Sequence, residues 1–380
     1  MKRPVLIVLL LMLAVPCLAF GQATPHSATT PTNARQTQTA KPVSAVGELP
    51  GGYVKIDGGP GTMCSQGTPY AFYFRPGSPD KLLILFGGGG GCWTYSNCDL
   101  TQKPTYNPTV GSETDPQLSG ILDPANAENP FADHSVLVVP YCTGDVNLGN
   151  KTVTYSAPAS DKAGGHSASA SVQIHHNGYN NATAALRWVY SRIPSPREVF
   201  VAGVSAGAIA SAFYVDRVAE HYKTARIGQL GDSAGAYRAA IVPKLLEGWG
   251  ATEMMRGFPS YVQQDASKVN FETLYIAAAR NHPGVTLAQF NTTEDETQVF
   301  FLDAVGVPNA LLPPLLEQNF ADIRAASAGF RSYTAPGTVH TILTRPEFYS
   351  VQLNGVRLRD WVANLAAGRP VENVSPANAK

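Results

Sequence analysis

The chain has 380 residues, with 28 lysines and arginines against 28 aspartates and glutamates, a formal net charge of zero and 44% hydrophobic residues. Neither sign of charge gathers into a run, which excludes the basic face that holding a nucleic-acid backbone requires. Length and apolar content allow one large domain with a substantial core.

The chain starts with Met1-Lys2-Arg3, an apolar run from Pro4 to Phe20 and small residues around Gly21 to Ala23, the pattern of a secretory signal peptide over residues 1–23. The run is too short for a membrane span, so no stable span is expected after cleavage and the protein is expected to be secreted or periplasmic. Residues 24–46, rich in Thr, Ala, Gln and Pro, cannot offset the entropy of ordering and read as a disordered linker. A single domain is expected over 47–368, with a flexible tail over 369–380.

Within the domain, Lys81 to Phe86, Ser135 to Pro140 and Glu198 to Ala202 are short apolar runs bounded by Gly or Pro, as fully buried strands are. Asn180 to Ile193 carries Ala184, Ala185, Trp188 and Val189 at helical spacing and stops before Pro194. Ala206 to Tyr222 reads as a second helix and Phe271 to Arg280 as a third. Arg226 to Leu230 and Gly284 to Phe290 read as strands. Residues 308–314 are apolar and loop-like, suited to a lid, a pocket wall or a core-packed connection. Strands alternating with helices predict a mostly parallel central sheet flanked by helices on both faces.

Four cysteines follow the signal: Cys64, Cys92, Cys98 and Cys142. An even count in an exported chain predicts two disulfides, with three pairings open. No His or Cys spacing fits a zinc site, and no cofactor is expected.

Chemistry is carried by Val199 to Gly207, a strand that enters Gly203-Val204-Ser205-Ala206-Gly207 and leaves as a helix. This is the nucleophile elbow of an α/β-hydrolase, with Ser205 exposed at a strained turn. Serine needs a base, and His340, in a turn near the domain's C-terminal end, is the best placed of the histidines. The acid that orients it should lie between the two. Asp295, after the Gly284 to Phe290 strand, fits, and Asp232, one strand earlier, remains a rival. The Ala206 amide and the glycines from Gly87 to Gly91 offer donors for an oxyanion.

Several blocks together resemble the pectin acetylesterase and Notum family of carboxylesterases: Cys64 to Phe74, Leu85 to Trp93 with Cys98, Val139 to Val146, and Val215 to Glu220. The resemblance implies oxyanion donors at Gly89, Gly90 and Ala206, and disulfides Cys64–Cys142 and Cys92–Cys98. It favours Asp295, followed three residues later by Gln298, over Asp232. It makes Trp93 and Tyr237 candidate pocket aromatics. Gly90 stands where the family often has a bulky aromatic, which implies a wider acyl site. The expected function is a serine carboxylesterase that removes acetyl groups from a polysaccharide such as pectin. Hydrolysis of fatty-acyl, small or synthetic esters is the alternative, and a non-catalytic carbohydrate-binding protein the alternative of another class.

Overall fold

The computed structural model describes residues 45–102, 104–158 and 170–376, so the expected signal peptide and nearly all of the expected linker lie outside the described residues. Eleven strands carry the architecture: β1 (Ala45–Glu48), β2 (Val54–Asp57), β3 (Ala71–Arg75), β4 (Ser78–Phe86), β5 (His134–Val139), β6 (Lys151–Ser156), β7 (Ser171–His176), β8 (Glu198–Val204), β9 (Arg226–Asp232), β10 (Thr286–Thr292) and β11 (Arg331–Ala335). The helices are α1 (Tyr95–Cys98), α2 (Gly178–Arg192), α3 (Ala206–His221), α4 (Val242–Gly248), α5 (Ala251–Met255), α6 (Phe271–Asn281), α7 (Glu296–Ala304), α8 (Leu312–Ala326) and α9 (Leu358–Ala366).

Nine strands form one sheet in the order β1-β2-β3-β5-β4-β8-β9-β10-β11. β5, β4, β8, β9, β10 and β11 run parallel, and β1, β2 and β3 add an antiparallel edge. The parallel strands are apolar on both faces because helices cover both. All six residues of β5 and the last five of β4 are buried. Each large aliphatic side chain buried this way contributes about 1.5–3 kcal/mol. One core, with Ile84, Phe86 and Val201, lies under α2, α3 and α6, and the other, with Leu83, Leu85 and Phe200, lies under α9. This is the α/β-hydrolase arrangement, and it brings the carboxyl ends of β4, β8 and β10 to one edge, where the loops meet.

The structure moves some boundaries. β1 begins at Ala45, inside the stretch expected to be linker. The tail does not start at residue 369: Val371 and Val374 are buried, Val374 pairs with Tyr333 beside β11, and Trp361 Nε1 donates to Glu372 O at 2.8 Å. Two apolar anchors and an unsatisfied sheet edge are enough to dock it. Residues 308–314 are not all loop, since α8 starts at Leu312 with Pro313 and Pro314 in its first turn, where missing N–H groups cost nothing. Leu312 is buried, so this end of the segment is a core connection. β6 and β7 form a separate antiparallel ribbon.

Candidate active site

Ser205 sits where β8 ends and α3 begins, at φ +55° and ψ −123°. A non-glycine residue held there stores on the order of 1–3 kcal/mol of strain. The surroundings impose it: Ser205 N–H donates to Asp232 O at 2.8 Å, and a Cβ on Gly207 would lie 2.1 Å from Phe86 O. α3 therefore starts flush against β4 and turns the serine hydroxyl into the cleft.

His340 lies on the loop after β11. That loop is tied to the neighbouring strand by Thr292 Oγ1, which donates to Val339 O at 3.0 Å. His340 Nε2 is 2.9 Å from Ser205 Oγ, and its Nδ1 is 2.7 Å from Asp295 Oδ2. A carboxylate can only accept, so Nδ1 carries the proton and Nε2 is left to accept from Ser205 Oγ–H.

Asp295 is fully buried and caps α7, its Oδ1 accepting from Gln298 N at 3.0 Å. Gln298 Nε2 donates to Asp295 Oδ2, also at 3.0 Å, and Gln298 Oε1 accepts from Ala236 N at 3.1 Å. The carboxylate is thus locked by donors before the histidine is added. In the sequence Gln298 stands out only through the family resemblance, as the residue three after Asp295.

The rival acid has another job. Asp232 Oδ2 accepts from the backbone N–H groups of Ile342 and Leu343, each at 2.8 Å, and its Oδ1 accepts from Ser233 Oγ at 2.8 Å. Burial pushes its pKa up to about 6, against the pull of those donors. Asp232 holds the chain that follows His340, while Asp295 holds the imidazole.

Both expected disulfides are formed, Cys64–Cys142 and Cys92–Cys98. The short one lies beside the glycine loop. That loop pairs with the Tyr106 segment: Gly91 N–H donates to Thr105 O at 3.2 Å and Asn107 N–H to Gly89 O at 3.2 Å. In such a pairing the N–H of the residue between, Gly90, points away from the partner segment.

The pectinacetylesterase family model matches residues 49–311, more than half of the chain. The chain belongs to the pectinacetylesterase family. It is accordingly an ester hydrolase. The matched span holds the glycine loop, both disulfides, Ser205 and Asp295, and His340 lies beyond it. No curated relative matches the chain.

In this pectinacetylesterase-family protein a narrow cleft opens beside Ser205, Ala206 and Gly90. Its walls are almost wholly apolar, with Ile209 of α3, Leu245 of α4, Trp249, Phe271 of α6 and Phe301 of α7. Trp93 and Tyr237, the expected pocket aromatics, both line it, and burial raises the Tyr237 phenol far above its ordinary pKa. Trp249, Phe271 and Phe301 escaped the sequence reading because nothing local marks a residue that meets the cleft only through tertiary packing.

Gly90 does not widen this cleft. At φ +77° its Cβ would lie 1.8 Å from Thr105 O and 3.0 Å from Phe301 Cζ, so neighbours already fill the space. Among the described residues no three His, Cys, Asp or Glu side chains gather where a metal ion could be held, and no helix is long and apolar enough to cross a membrane.

Proposed function

We propose that the protein is a secreted serine carboxylesterase that cleaves esters through an acyl-enzyme on Ser205. The observation that carries this reading is the strained Ser205 with His340 Nε2 2.9 Å from its Oγ and Asp295 2.7 Å from the other imidazole nitrogen. Ser205 Oγ attacks the ester carbonyl while His340 takes its proton, and Asp295 stabilises the imidazolium. The oxyanion is met by the amides of Ala206, Gly89 and Gly90, each such donor contributing about 2.7–4 kcal/mol to the transition state. His340 returns the proton to the departing alkoxide, and water, activated by the same imidazole, releases the acid. No cofactor takes part in these steps.

Family membership supports an acetyl ester on a polysaccharide such as pectin as the substrate. Export is supported by the two disulfides. The apolar cleft favours a second reading of the acyl group. Walls built from Leu245, Trp249 and Phe301 suit a chain longer than acetyl, and so fatty-acyl, small or synthetic esters. A carbohydrate-binding protein without activity would have no use for an aligned nucleophile, base and acid.

The test is hydrolysis of p-nitrophenyl esters from acetate to palmitate by the wild type and by Ser205→Ala. The reading expects turnover that Ser205→Ala loses by about 10⁶-fold, as when a triad nucleophile is removed. Rates that drop steeply beyond butyrate support the acetyl ester, and rates sustained to long chains support the second reading. Turnover on none of the esters, or turnover that survives in Ser205→Ala, contradicts the mechanism.

A further inference from the structure

Ser205 lines the apolar cleft, and residues that adjoin it line a second cavity. The second opens at the Gly87 and Gly88 end of the glycine loop, whereas the apolar cleft meets Gly90 and Gly91. Gly88 and Val204 line it, and both adjoin the nucleophile: Val204 precedes Ser205 in the chain, and a Cβ on Gly88 would lie 2.7 Å from Ser205 Cβ. Thr344, four residues after His340, lines it too.

Its chemistry differs from that of the first cleft. The floor is Leu85, Leu122 and Val138, but the rim carries Asn107, Glu113, Thr114, Asp115 and Gln117. Asn107 Nδ2 would lie 3.2 Å from a Cβ on Gly89, which puts an amide next to the oxyanion loop. Asp115 is fixed by Tyr73 OH, which donates to its Oδ1 at 2.6 Å. Among the described residues no lysine or arginine lines the cavity. Arg345, the residue after Thr344, donates through Nη2 to His340 O at 3.0 Å.

We infer that this second cavity is the alcohol subsite, and that it takes an uncharged saccharide ring: a neutral sugar, or a uronate whose carboxyl is esterified. The inference rests on the serine-esterase reading, since it follows from where the leaving group must go. His340 Nε2 returns its proton to the oxygen of the breaking C–O bond, so the alcohol stands on the side of the His340 loop, where Thr344 is. The acyl group then falls in the apolar cleft. Amide and hydroxyl side chains on an apolar floor suit a polyhydroxylated ring with an apolar face. Glu113 and Asp115 repel a free carboxylate. A like charge about 7 Å away across largely solvated space costs roughly threefold in binding, so the pair costs about tenfold.

The experiment compares two acetylated methyl galactopyranosides that differ only at carbon 6, one bearing CH2OH and the other a carboxylate. The wild type is expected to show kcat/KM about tenfold higher on the neutral compound, narrowing as salt is added. Glu113 is exposed, so Glu113→Lys leaves the fold intact, and it is expected to bring the ratio to about one or invert it, with Glu113→Gln in between. Equal rates on the two compounds in the wild type, or a ratio that Glu113→Lys does not move, overturn the subsite while leaving the esterase standing. Failure of the esterase reading shows separately, as p-nitrophenyl acetate hydrolysis that is absent or survives in Ser205→Ala, and removes the subsite with it.

Discussion

Two buried aspartates stand near His340, and exchanging each for asparagine separates their roles. Asp295→Asn keeps the shape of the cap. Gln298 N–H, 3.0 Å from Oδ1, pins the amide oxygen there and turns the new NH2 toward His340 Nδ1 and Gln298 Nε2. His340 must then accept at Nδ1 and carry its proton on Nε2, facing Ser205 as a donor, the wrong tautomer for a base. The equivalent change in a Ser-His-Asp protease lowers kcat about 10⁴-fold, and a loss of that order is expected here. Asparagine is a good helix cap, so the fold should survive.

Asp232→Asn has an easy solution. The amide oxygen takes the place of Oδ2 and accepts from Ile342 and Leu343, while the NH2 donates to Ser233 Oγ. What is lost is the charge on two hydrogen bonds, about 2 kcal/mol together, set against relief of burying that charge. Activity should fall by less than about tenfold. The assay is kcat/KM on p-nitrophenyl acetate, with circular dichroism and a thermal melt on each variant. A folded Asp232→Asn as inactive as Asp295→Asn would refute the assignment of the acid.

Other outcomes follow from the same geometry. His176 is buried with its ring between Thr143 O and Tyr155 OH, and burial lowers its pKa to about 4. A folded value below the unfolded 6.5 means stability fully present above about pH 6.5 and lost as pH falls toward 4, by about 3 kcal/mol. Melts from pH 7 to 4 should therefore show the wild type losing its advantage over His176→Asn, and a constant gap would contradict the burial argument. Asp145 and Asp232, both raised to about 6, act with the opposite sign but in both proteins alike. Removing the Cys92–Cys98 link by a double serine substitution should cost at most about 2.4 kcal/mol, from the loop-entropy relation for a short loop. It should also lower kcat by freeing the glycine loop, and unchanged kcat would show that the link does not steady the oxyanion donors. Gly90→Ala should cut kcat by about 10²-fold or more, because its Cβ meets Thr105 O and the loop must shift. Trp249→Ala, which enlarges the cleft wall, should move the preferred p-nitrophenyl ester toward longer chains, and an unchanged preference would place the acyl group elsewhere.

Local signals made the central sheet and the elbow legible in the sequence. β4, β5 and β8 are uninterrupted apolar runs because parallel strands are covered on both faces, and the Gly203 to Gly207 turn needs glycines where α3 meets β4. The β6–β7 ribbon has an exposed face and lacks such a run, so it left no mark. α9 does carry a signal: Leu358, Trp361, Val362 and Leu365 recur at helical spacing and are all buried. His340 and Asp295 could be placed by chain order and by family resemblance. Neither could tell Asp295 from Asp232 with certainty, because what separates them is which carboxylate faces the imidazole and which faces the backbone of Ile342 and Leu343. The second cavity was invisible for the same reason: Gly88, Asn107, Glu113 and Thr344 come together only in the fold.

The central claim, that Ser205 is the nucleophile of an ester hydrolase, is tested most directly by treating the protein with an organophosphonate serine probe and mapping the adduct by mass spectrometry. The account predicts one adduct, on Ser205, formed in parallel with loss of p-nitrophenyl acetate hydrolysis and slowed strongly in Asp295→Asn. A folded protein that takes no label, or takes it on another serine while losing activity, would contradict it.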